Sequence, residues 1–229
     1  MELLCCVAFT ECHCQNFLSH AVVRYTNQQK EAMRFLAIIS GVLILVVIVV
    51  QGFAMKSSQN IESYPYKVLK KFDSFEIRNY EASLFTSVKL NTNNYEEASG
   101  KGFQKLAGYI FGGNETNEEI AMTSPVAMSL EDSMTMMFLV PKGYNKENLP
   151  KPNSAEIAFT EMPAKTVAAI TFGGWANSGK IEEHQLMLIK ALDEEGIAYT
   201  NVFYFLGYNP PFEMVGRRNE VIVELEVNY

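Results

Sequence analysis

Few side chains in this 229-residue chain stand where they could make or break bonds. Cys5, Cys6, Cys12 and Cys14 crowd the first fourteen residues, with His13 between the last two. Thiolate and imidazole are good zinc ligands. Cys12-His13-Cys14 nevertheless sets its donors too close for one tetrahedral site, and no second cluster lies downstream. Acylation of Cys5 and Cys6 is a second reading, and a plain leader a third. The rest of the chain has no cysteine, so disulfides do not hold it and its cysteine usage says nothing of its redox compartment. The 64–229 part has one histidine, His184, which flanks the apolar stripe of a helical pattern. His184 is either a half-buried helix residue or an iron ligand. Met122, Met128, Met134, Met136 and Met137 are dense enough to ligate iron, to line an adaptable pocket or to fill a core. Arg217-Arg218 is a short cationic cluster. On an extended segment these neighbours point in opposite directions, so at most one faces a given pocket. No Ser-His-Asp order, glycine-rich phosphate loop or paired-histidine metal motif appears. Glu220 and Tyr208 could act on a small molecule only if a pocket raised the Glu220 pKa.

Composition narrows the class. The chain is 48% hydrophobic with a net charge of −7. The first 54 residues balance three basic side chains (Arg24, Lys30, Arg34) against three acidic ones (Glu2, Glu11, Glu31), so the negative charge belongs to the remainder. An acidic domain with scattered Lys and Arg argues against nucleic acid, which needs a basic stripe. Roughly 170 residues are left for folding, enough for one domain with a real core.

Residues 1–34 read as a polar, Cys-containing leader, with Met33-Arg34 resembling the start of a signal or anchor. Residues 35–50 carry no charge. With 51–55 they reach the length that crosses a bilayer. A transmembrane segment or signal anchor over 35–55 is expected, placing the protein in the membrane with one pass and the domain outside the cytoplasm. The alternative is a secreted or periplasmic protein after signal cleavage near Gly52-Phe53-Ala54. Residues 56–63 read as a linker and 64–229 as the domain.

Within the domain the periodicity predicts strands in 64–79 and 82–90, a helix over 95–110, strands in 120–130 and 133–140, two strands in 156–172 broken at Met162-Pro163, a helix over 180–195, and strands at 202–206 and 220–227. Asn94 can cap the first helix, and Glu97 sits at capping-box spacing. Gly100, Gly102 and Gly108 weaken that helix relative to Ala. In the last strand Val221, Val223, Leu225 and Val227 alternate with Ile222, Glu224 and Glu226, a pattern with one face inward. Strand–strand–helix–strand–strand occurs twice, with Tyr95 falling on Ile181. The expected fold is α+β: a duplicated unit forming a distorted, antiparallel, barrel-like sheet with two main helices. Asn114-Glu115-Thr116 is a glycosylation sequon, meaningful in a eukaryotic secretory route.

Four motifs come in a fixed order: FEIRNY at 75–80, a helix followed by FGGN at 111–114, IAMTSPV at 120–126, and GYNPPF with GRRNEV between 207 and 221. In this the chain resembles the SOUL, or haem-binding-protein, family over about 64–227. The resemblance implies the barrel-like fold and non-enzymatic binding of haem or a related tetrapyrrole in a hydrophobic pocket. It points to Asn79, Gly100, Phe103, Ala107, Met122, Tyr208 and Arg217. Gly100, Phe103 and Ala107 share a helix face that a flat macrocycle could approach, and the same residues also suit a helix core. Asn79 stands where some relatives carry a histidine proposed to ligate iron. An amide is a poor iron ligand, so haem would be held mainly by hydrophobic contact. A protein-interaction domain with a vestigial pocket is the alternative, and a small-molecule hydrolase a distant third.

Overall fold

The computed structural model describes residues 29–31, 33–50, 52, 61–210 and 213–226. The chain forms two compact units, Met1–Phe53 and Ala54–Tyr229, each taken by itself below. The first holds helix α1, Gln29–Val50, 22 residues long, in which an 18-residue window has a mean hydropathy of 2.8 and is not buried. It is long and apolar enough to cross a membrane. The cysteine cluster, the Phe53-Ala54 part of the cleavage reading and most of the linker lie outside the described residues.

The second unit runs β1 (Tyr66–Lys71), β2 (Glu76–Tyr80), β3 (Ser83–Lys89), α2 (Tyr95–Ile110), β4 (Val126–Ser129), β5 (Thr135–Leu139), β6 (Ile157–Met162), β7 (Lys165–Gly173), α3 (Ser178–Glu194), β8 (Tyr199–Gly207) and β9 (Arg218–Leu225). The strands form one antiparallel sheet in the order β1-β2-β7-β9-β8-β4-β5-β3-β6. Exchanging β2–β5 with β6–β9 maps this order, β1 aside, onto its own reverse. The helices obey the same exchange: α2 packs on β3 and β5, α3 on β7 and β9. The helices start 83 residues apart, closer than pairing Tyr95 with Ile181 implied.

α2 has the expected bounds, and the Asn94 side chain caps it by accepting from Glu97 N at 2.8 Å. The reciprocal half of the capping box does not form. Thr92 Oγ1 takes the Asn94 N–H, while the Glu97 carboxylate binds Thr92 and Lys101. α3 starts two residues before the expected Lys180 because Asn177 is its cap, accepting from Lys180 N at 2.8 Å. Only 126–129 of the strand expected over 120–130 pairs as a ladder strand.

The sheet curls. Tyr64, just ahead of β1, packs its ring 4.4 Å from that of Tyr80 on β2 and 5.1 Å from that of Phe85 on β3, which lies next to the opposite edge. Its outer face meets the helices through Ile77, Met136, Ile170 and Val221, packed with Leu106 of α2 and Leu188 of α3. Its inner face closes on itself through Tyr80, Met137, Val167, Leu206 and Ile222. This corrects the expectation for the last strand: Val221, Ile222 and Val223 are all buried, so both faces of β9 are covered. Period two marks a strand but does not tell solvent from a second core on its polar-looking side.

Candidate functional site

α2 presents two different surfaces. Leu106, Tyr109 and Ile110 are in the core, with Ala107 buried beside them. Phe103 is half-buried, 5.5 Å from the Phe138 ring. Gly102 is pressed into the sheet, where an added Cβ would come within 2.9 Å of Leu90 Cδ1 and 3.0 Å of Met136 Cβ. Gly100 and Gly108 are open instead, with no atom within 4 Å of such a Cβ. With Gln104 they form an exposed row ending at Phe111, which is 65% exposed. Over these two turns Gln104 is the one side chain between the two open glycines. Lys101 and Lys105 flank the row in exposed ion pairs with Glu97 and Glu156, both at 2.7 Å.

At its N-terminal end α2 is tied to the first residue of α3, next to the loop that precedes it. Glu96 accepts from Ser178 N at 2.8 Å and from the Ser178 hydroxyl. These bonds hold the Glu96 carboxyl below its usual pKa. The same loop carries Trp175, 53% exposed, under the Arg217 guanidinium at 4.0 Å. Arg217 donates to the carbonyls of Pro210 (3.0 Å), Glu213 (2.7 Å) and Asn209 (3.4 Å), so it ties the Pro-containing turn together. Its Nε is buried without a partner. Val215 beside it is 62% exposed. Pro211 of that turn lies outside the described residues.

Tyr208 is on the opposite, concave side. Its hydroxyl donates to Glu220 Oε2 at 2.7 Å. Burial, with Tyr80 and Glu220 nearby, raises its pKa well above the ordinary phenol value. Glu220 is completely buried and accepts from five donors: Arg78 Nη1 (2.9 Å), Tyr208, Thr171 Oγ1 (3.1 Å), and Arg218 Nε (3.1 Å) and Nη2 (2.6 Å). Burial pushes its pKa up, but Arg78, Arg218 and Tyr208 pull harder, and the net shift is downward. Glu220 is therefore held ionised, the reverse of what a general acid at neutral pH needs. Arg217 and Arg218 point to different sites, as their adjacency on an extended segment requires.

The expected site residues thus divide. Gly100, Phe103 and Ala107 share α2, with Arg217 beyond its first turn. Met122 is half-buried near the other end, lining a cavity of about 10 Å³ with Tyr109 and Ile110. That volume holds about one water, far less than a macrocycle. Asn79 lies on β2, in the other half of the sheet, its amide donating to Thr166 Oγ1 at 3.3 Å. Met128, Met134, Met136 and Met137 are core. The sequon fails as a modification site in the folded chain. Asn114 is 1% exposed and makes five side-chain hydrogen bonds, including both amide protons to the carbonyls of Tyr109 and Glu118.

Residues 61–224 match the family model described as SOUL heme-binding protein. The chain belongs to that family. Among relatives of the SOUL domain, heme-binding protein 2 of Mus musculus is 31% identical over 157 residues, 65% of this chain and 76% of that protein. Heme-binding protein 1 of Sus scrofa is 29% identical over 174 residues, 71% of this chain and 92% of that protein. Among solved structures, the C-terminal domain of EcmrR aligns with a TM-score of 0.54 at 11% identity, covering 71% of this chain and 99% of that one. At that identity the likeness shows the fold alone.

In this SOUL domain the FEIRNY and GRRNEV motifs meet in space. Glu76, Arg78 and Tyr80 come from one, Arg218 and Glu220 from the other, and Tyr208 joins them. Sequence reasoning named Glu220 and Tyr208 but missed Arg78 and Glu76. The available signal was a charged residue directly after Ile77 in a strand. His184, the one histidine among the described residues, stacks on Phe172 at 4.2 Å. Its Nδ1 is 2.7 Å from the Lys180 carbonyl oxygen. A carbonyl only accepts, so Nδ1 carries a proton in this contact, and in the neutral ring Nε2 is the nitrogen left to accept.

Proposed function

We propose that the SOUL domain binds haem or a related tetrapyrrole without turnover, on the exposed glycine row of α2. The observation that carries this is the open surface at Gly100 and Gly108 running to the exposed ring of Phe111. A flat apolar ring gains most where few side chains keep it from the wall. Phe103 and Ala107 back that wall from beneath. Lys101 and Lys105 stand beside it in exposed ion pairs, which exchange partners at little cost and so can serve propionates. Arg217 shapes the rim rather than offering a free cation. Asn79 lies on another element with its amide engaged, which leaves His184, a Met or no protein group as the iron ligand. Met122 and Tyr208 stand outside this site. We read 1–34 as a leader, α1 as part of a single-pass anchor over 35–55, and the domain as extracytoplasmic. α1's length and hydropathy support the anchor.

The test is a hemin titration of the full chain in detergent micelles, read in the Soret band against empty micelles, beside Gly108→Glu. That position is open, so the fold tolerates the side chain while its bulk and charge block the row. Saturation near one equivalent in the parent, weakened at least tenfold in the variant, is the expected result. A non-saturating response in the parent overturns haem binding. An equal response in the variant removes it from α2. A protein-interaction role is the second reading, favoured by exposed Trp175 beside the Arg217 guanidinium, residue types enriched among interface anchors. It comes forward if hemin fails.

A further inference from the structure

The concave face holds a groove that tetrapyrrole binding on α2 does not use. It is an open trough of about 520 Å³ between β1, β2, β7 and β9, a volume within the range of small-molecule sites. Tyr66, Val68, Phe72 and Ala169 give it an apolar wall; Lys71, Glu76, Arg78 and Arg218 give it charge. Arg78, on its lining, is paired with Glu220, and both side chains are 3% exposed or less. Charges this deep lose their hydration and are retained only with close partners.

Counting donors against acceptors shows what the groove lacks. The Glu220 carboxylate is taken up by its five donors. Both oxygens of Glu76 are taken as well, Oε1 by Lys71 at 3.1 Å and Oε2 by Arg78 at 2.9 Å. Donors remain. The Tyr66 oxygen accepts from Arg218 Nη2 at 3.2 Å, and its own proton has no acceptor among the described residues. Arg218 Nη1 likewise makes no hydrogen bond there, and the Arg218 side chain is 40% exposed. Asp73, on the lining, is the one carboxylate there without an ion pair among the described residues. Asp73 is solvent-exposed, so water screens its charge; two unspent donors beside apolar side chains, over the engaged carboxylates of Glu76 and Glu220, call for an oxyanion on a compact apolar body.

We propose that this groove binds a small organic anion, a carboxylate or phosphate monoester with an aromatic or aliphatic body. Tyr66 O–H and Arg218 Nη1 hold its oxygens, Lys71 attracts it from the rim, and Val68 and Phe72 cover its body. The site stands on different residues from the α2 surface and does not depend on haem binding.

Calorimetric titration of the full chain in detergent micelles, with empty micelles as blank, tests it. Phenyl phosphate and benzoate are the probes, with benzyl alcohol and benzylamine as neutral and cationic controls. Saturable binding of at least one anion and neither control is expected, and the stronger of the two tells phosphate from carboxylate. Tyr66→Phe keeps the ring but loses the donor and should weaken binding at least tenfold. Val68→Trp fills the groove from an exposed edge-strand position and should abolish it, leaving the hemin response unchanged. If Tyr66→Phe does not fold, Val68→Trp and Lys71→Ala, both at exposed positions, carry the test. No saturation by either anion, or equal affinity in parent and Val68→Trp, overturns the proposal and leaves the charge network a tie between β2 and β9.

Discussion

Replacing Glu220 with Gln tests how the domain holds charge inside its sheet. The swap keeps the shape and removes one charge. Five donors then face one carbonyl oxygen and an amide that is itself a donor. Arg78, its side chain 3% exposed, keeps Glu76 as its remaining ionic partner, and Glu76 is 25% exposed. Breaking a buried pair from one side costs about 3–5 kcal/mol, because the remaining charge stays desolvated. For a domain of this size that is on the order of 10 °C in Tm. Urea or thermal unfolding followed by circular dichroism measures it. The pair can then be removed from both sides. Arg78→Met with Glu220→Gln leaves no stranded guanidinium and should recover at least half of the loss, through non-additivity of contacting sites. A loss below about 1 kcal/mol in Glu220→Gln, the value of an exposed pair, would refute the reasoning. So would a double variant no more stable than the single one.

The remaining predictions are shorter. Glu220 and Glu76 both have folded pKa values below the ordinary carboxylate value, Glu76 because Lys71 and Arg78 outweigh its burial. Their stabilisation is complete above the unfolded value of about 4.3 and is lost as pH falls through the folded one; acid unfolding should therefore steepen below that point, and less so in Glu220→Gln. Gly100→Ala and Gly108→Ala should each raise stability by up to about 1 kcal/mol, whereas Gly102→Ala should lower it by roughly 1–3 kcal/mol through overpacking, all by denaturant midpoint. Expressed through a eukaryotic secretory route, the chain should carry no glycan at Asn114 once folded, shown by an unchanged mass after glycosidase; a full-occupancy glycan there would contradict its burial. The full chain should stay in the membrane pellet after alkaline extraction, and deleting 35–55 should release it.

Local signals were enough for the parts of the fold that short-range physics controls. α2 lies where Asn94 and the spacing of Leu106, Ala107 and Ile110 put it, because a cap and an amphipathic stripe act within a few residues. The break at Met162-Pro163 between β6 and β7 was legible for the same reason, since proline cannot donate to a ladder. The ordered motifs identified the family. The curl of the sheet was not legible. It brings Tyr64 onto Phe85 and buries the polar-looking side of β9 as a second core, and alternation is the same whether the second face meets water or protein. The three helix glycines show the same limit: one sequence context, but Gly102 is pressed on Met136 while Gly100 and Gly108 are bare. The charge network is the clearest case. Glu76 and Arg78 are 142 or more residues from Glu220 along the chain, and only the pairing of β2 with β7, and of β7 with β9, brings their side chains within hydrogen-bonding distance. Sequence fixes which groups exist and how they alternate; the tertiary fold decides which of them lose water together, and that sets their charge state and what they can bind.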